Sequence, residues 1–178
     1  MREPILIGYF AKDRASAPSG FRPNSVREIC SVSGCIASQP DDWIDEWKHN
    51  DWFVFDEPEV ARQIAEKSVP APVTYAYLVL PVRFDPSGEE VDLRIEGANP
   101  APLPSSFLRL GFDVASRSIT PEFECSPLSC NELAVEVPVN SMCLIETLPT
   151  AIEFARRCAS EQPEPGSYFV IEVWRQSS

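Results

Sequence analysis

Two stretches of this chain repeat the same landmarks in the same order on either side of a proline-rich segment, and no other feature narrows the fold as much. Gly8-Tyr9 followed by Arg14 is matched by Gly111-Phe112 followed by Arg117. "CSVSGC" (residues 30–35) is matched by "CSPLSC" (residues 125–130), and Pro58, at the start of one helical pattern, by Pro149 in another. "PAPVTYAYLVL" (residues 70–80) is then matched by "PEPGSYFVIEV" (residues 163–173) through Pro-x-Pro-x-Thr/Ser-Tyr. Four matches in fixed order point to an internal duplication.

The local patterns agree with that division. "ILIGYFA" and "LRLGFDV" read as strands from their apolar and aromatic content. "WFVFD" and "MCLIE" read as short strands. Asp56 is placed to cap the following helix, with Pro58 in its first turn and Glu59 completing a capping box; Thr147 and Pro149 play the cap and first-turn parts in the second half. Val60, Ala61, Ile64 and Ala65 share one helical face, as do Leu148, Ile152, Ala155 and Ala159. Each helix leads into a long β-branched and aromatic strand. The unit is strand, cysteine loop, strand, helix, strand.

These units predict an α+β fold with largely antiparallel sheet, in one sheet or two, helices packed on one face and the halves related by a pseudo-twofold. Residues 1–96 form the first half-unit, 97–106 a proline-rich connector and 107–178 the second, all within one globular domain. The halves differ in detail. The first carries "SQPDDWIDEWKHN", read as a short helix capped by Ser38, where the second carries "NELAVEVPV", which alternates like a strand; "EEVDLRI" reads as an extra strand.

An apolar content of 44% over 178 residues supports an ordinary core without staples. The first apolar run is too short for a secretory signal, and no run suffices to cross a bilayer. The expectation is a cytoplasmic protein whose six cysteines are thiols. A net charge of −12 repels phosphate backbones and anionic membranes, which argues against direct nucleic-acid or membrane binding and suits a basic protein partner.

The cysteine loops carry the most pointed chemistry. Two Cys-x4-Cys pairs, Cys30 with Cys35 and Cys125 with Cys130, supply four thiolates for a tetrahedral zinc if the loops converge. Buried structural thiols are the competing reading. Thiol catalysis needs a base, and the single histidine, His49, with Asp51 beside it, could serve Cys30 or Cys125 at only one of the two loops. Asp42 and Glu46 lie four apart on a helical face, and Trp43, Trp47 and Trp52 gather as aromatic anchors. Arg14 and Arg117 occupy matching positions suited to an anion. No glycine-rich phosphate loop and no Gly-x-Ser-x-Gly elbow is present.

Two functions follow as expectations. The first is a small acidic binding protein of inhibitor or immunity type, engaging a basic protein through Asp42, Trp43, Glu46, Trp47 and Trp52. The alternative is a zinc- or thiol-dependent protein or enzyme built on Cys30, Cys35, Cys125 and Cys130. A groove between the halves is a further place for a small ligand.

Overall fold

A computed structural model describes residues 3–21, 24–40, 48–95, 103–119 and 122–177. The expected helix bearing Asp42, Trp43, Glu46 and Trp47, and most of the proline-rich connector (residues 97–102), lie outside those residues.

Among the described residues the fold is mixed α and β, built on one five-stranded sheet. Strands β1 (Ile5–Lys12), β2 (Val73–Phe84), β4 (Phe107–Arg117) and β5 (Ser167–Gln176) run in the order β1-β2-β5-β4, with a three-residue β3 (Glu90–Asp92) added to β2. Every pairing is antiparallel. The opening strand of each chain half therefore takes an outer position, and the two long closing strands, rich in valine, tyrosine and phenylalanine, meet at the centre. Pro81 sits in the middle of β2 where the register against β5 slips between Val79 and Arg83. It has no N–H for the ladder, and its carbonyl accepts the Leu93 N–H instead.

Helix α1 (Pro58–Ala65) packs on β1 and β2, and α3 (Leu148–Glu161) on β5, β4 and β2. Ala61, Ile64 and Ala65 of α1 are buried as the spacing implies, with Val60 half-buried; in α3 the buried stripe is Ala151, Phe154, Ala155, Cys158 and Ala159, so the expected Ala155 and Ala159 are in it while Leu148 and Ile152 are half-buried at its edge. Thr147 caps α3 by accepting the Thr150 N–H. The expected Asp56 cap is not made: Glu57 is the N-cap residue, and Asp56 accepts a hydrogen bond from the Asn50 side chain instead. Among the described residues no helix is long and apolar enough to cross a membrane.

The two segments expected as short inner strands, 52–56 and 142–146, are tight turns touching the sheet through single bridges, Tyr9 to Phe55 and Phe112 to Ile145. An asparagine organises each turn. The Asn50 side chain donates to the Ile7 carbonyl at 2.8 Å and accepts the Trp52 N–H at 2.9 Å, while Asn140 donates to Leu110 at 2.7 Å and accepts from Met142 at 2.9 Å. Phe53 and Cys143, at the tips, adopt left-handed backbone. Gly8 and Gly111, with φ of +144° and +147°, let the turns press on the strands: a Cβ would lie 2.6 Å from the Phe55 oxygen and 2.9 Å from that of Ile145.

"NELAVEVPV" is not a strand. Glu132 turns the chain through left-handed backbone into a short 3-10 helix (Leu133–Val135), so the alternation has no neighbouring strand to pair with.

Candidate metal centre

The site grows from two buried charged residues, Lys12 at the end of β1 and Asp113 in the middle of β4. Cross-strand register runs from Phe10 to Tyr75, and two steps further along β2 from Val79 through Ile171 to Asp113; Lys12 and Asp113 therefore share one face of the sheet. Both are buried. Lys12 Nζ donates to the carbonyls of Ser31, Val32 and Ser33 at 3.0, 3.2 and 2.6 Å, which uses all three of its N–H groups. Burial pulls its pKa down to about 8, against the opposing pull of Asp113 and the nearby thiols of Cys35, Cys130 and Cys30.

Asp113 holds both cysteine loops. One carboxylate oxygen accepts the Ser31 hydroxyl at 2.8 Å and the Val32 N–H at 2.9 Å; the other accepts the Ser126 hydroxyl at 2.6 Å and the Val114 N–H at 2.9 Å. Burial raises its pKa, and these four donors work the other way by favouring the carboxylate. The serines that follow the first cysteine of each repeated motif thus meet on a single carboxylate. Ser33 adds a cross-link: its hydroxyl donates to the Glu124 carbonyl at 2.8 Å, accepts the Cys35 N–H at 3.1 Å and lies 3.7 Å from the Cys130 sulfur.

This clamp brings three of the four expected sulfurs together. Cys35, Cys125 and Cys130 have sulfurs all within 4.8 Å of one another. Cys35 Sγ is 3.6 Å from Cys125 Sγ and donates to the Glu124 carbonyl at 3.3 Å. In the second loop, one short helical turn, α2 (Pro127–Cys130), folds Cys130 back toward Cys125. In a tetrahedral zinc site with bonds near 2.3 Å, sulfurs lie about 3.8 Å apart; the Cys35–Cys125 distance of 3.6 Å is close to that, and all three sulfurs lie within 4.8 Å. Cys35 is exposed and lines an open groove with Gly34, Ala37, Gln39, Glu122, Phe123 and Glu124. Burial, then its contact with Cys35, raises the Cys125 pKa, so a metal binding there must displace a proton.

Cys30 lies elsewhere. Its sulfur is 3.9 Å from Met142 Sδ, from the Tyr75 hydroxyl and from an Arg175 nitrogen, and burial pushes its pKa up to about 12. His49 stacks on Phe53 at 4.2 Å between ring centres and pairs by backbone with Phe55. The Asp51 carbonyl accepts from Arg117, whose guanidinium lies over the Trp52 ring. Trp52 in turn packs on Phe123 and Phe169, as part of the molecule's own aromatic packing. Arg14 lines a separate groove with Arg62 and Glu66, away from Arg117 and its partners.

The residues that sequence reasoning passed over are Lys12 and Asp113. Alternation in "LRLGFDV" sets Asp113 in line with the exposed Arg109, so the pattern does not mark it as buried; Lys12 and Asp113 lie in continuous buried runs of β1 and β4. Comparison with protein-family models, curated proteins and solved structures found no match to the chain.

Proposed function

We propose that the chain is a thiolate metal-binding protein in which Cys35, Cys125 and Cys130 hold one soft ion, zinc in the first instance. The observation that carries this reading is the convergence of three sulfurs from loops far apart in sequence, both fastened to the Asp113 carboxylate. Thiolates suit zinc, and three protein ligands leave a fourth position for water or an added donor. Titration with cobalt should give sulfur-to-metal charge-transfer absorption that saturates at one equivalent, and X-ray absorption on the zinc form a shell of three sulfurs. Affinity should climb with pH by up to about tenfold per unit for each thiol proton displaced. Absence of binding above pH 7 contradicts the reading.

The site is read as the junction of two copies of one unit. The paired Gly8 and Gly111, Asn50 and Asn140, Phe53 and Cys143, and the matching bridges support a duplicated ancestor related by a pseudo-twofold between β2 and β5. Binding of a basic protein is a second reading, supported by the net charge of −12; it calls for association that slows steeply with salt.

A further inference from the structure

We infer that Cys35 and Cys125 form a dithiol pair that reacts by thiol–disulfide exchange, with small cationic disulfides as the favoured reactants. The inference uses the thiols of the proposed metal site but does not need metal to be bound. Cys35 is exposed, and the sulfur in contact with it, 3.6 Å away, is that of Cys125. That gap must close to a bond of about 2.05 Å, between loops already held by Lys12, Ser33 and Asp113.

The chemistry balances in two steps. Cys35 thiolate attacks one sulfur of the incoming disulfide, forming a mixed disulfide and releasing one small thiol. Cys125 thiolate then attacks the Cys35 sulfur, forming the Cys35–Cys125 bond and releasing the second. Two protein thiols are oxidised, one small disulfide is reduced, and the protons of Cys35 and Cys125 leave on the two small thiols.

Charge selects the reactant. The groove in front of Cys35 is bordered by Glu122 and Glu124, the buried Lys12 ammonium is offset by the Asp113 carboxylate, and the whole chain carries −12. Such a field concentrates cations and repels anions.

The test exposes metal-stripped native protein to cystamine, or to oxidised glutathione, at equal concentration, followed by peptide mapping. Each rate is divided by that for free dithiothreitol, to remove intrinsic reactivity. Expected are a Cys35–Cys125 cross-linked peptide lighter by two hydrogens, and a normalised rate about tenfold or more higher for cystamine that converges with that for glutathione as salt is added. Glu122→Gln should narrow the ratio. A lasting adduct on Cys35, a bond to Cys130, no reaction, or an equal or higher normalised rate with glutathione overturns the inference. Zinc added to a parallel sample should slow the exchange if the metal reading holds. An unchanged rate counts against that reading alone.

Discussion

Asp113 is the residue on which most of the site depends, because one buried carboxylate satisfies two serine hydroxyls and two backbone N–H groups while balancing the buried Lys12. Asp113→Ala leaves that ammonium uncompensated and is expected to cost about 3–5 kcal/mol in urea unfolding. Adding Lys12→Met should recover part of the loss, so the double variant falls short of the sum of the singles by about 0.5–3 kcal/mol; strict additivity contradicts the coupling. The buried thiols set the alkaline limit. Burial pushes Cys30, Cys143 and Cys158 up to about 12 from the ordinary 9.0. An acid whose folded pKa is raised contributes stability that is whole below the unfolded value and is lost as pH climbs through the folded one, so stability should fall above about pH 9. Lys12, lowered from 10.5 to about 8, acts in the opposite sense over that interval but opposes only one of the three thiols. Replacing Cys158 by alanine should flatten the fall by about 1 kcal/mol per pH unit, read from urea midpoints between pH 9 and 10.5.

At the scale of elements, the turns held by Asn50 and Asn140 are the most informative pieces. Each asparagine ties a glycine-bearing strand to a turn through the same two bonds. Asn50→Ala and Asn140→Ala should therefore cost similar amounts, about 1–3 kcal/mol each. Gly8→Ala and Gly111→Ala should also destabilise the chain, through an unfavourable backbone conformation and a clash with the turn carbonyl. Values that differ widely between partners, measured by chemical denaturation, would argue against equivalent turns. The main strands and both longer helices were legible because their periodicity and caps act locally, as with Thr147 ahead of α3. The turns were not. "WFVFD" has a strand's composition, yet left-handed Phe53 and the reach of Asn50 back to Ile7 are set by tertiary contact. The Asp56 cap is absent because Glu57, one residue later, takes the N-cap position, and the Asp56 carboxylate meets Asn50 instead.

For the molecule as a whole, convergence of the two cysteine loops was legible as a condition for metal binding, while the ligand set was legible only in part. Equal spacing does not impose equal geometry. In the second loop a helical turn brings Cys125 and Cys130 together, whereas in the first the chain carries Cys30 into the core beside Met142 and sends Cys35 outward. Nothing in the spacing marks that difference, because it depends on how Lys12 and Asp113 grip residues 31–33 from the sheet below. The most direct measurement is the zinc content of native protein and of single cysteine-to-serine variants after equilibration with one equivalent of zinc and gel filtration. The expected result is one zinc per chain in the wild type and in Cys30→Ser, with loss in Cys35→Ser, Cys125→Ser and Cys130→Ser. Zinc lost from Cys30→Ser and kept by Cys35→Ser, or no zinc in the wild type, would contradict a three-thiol centre at the junction of the loops.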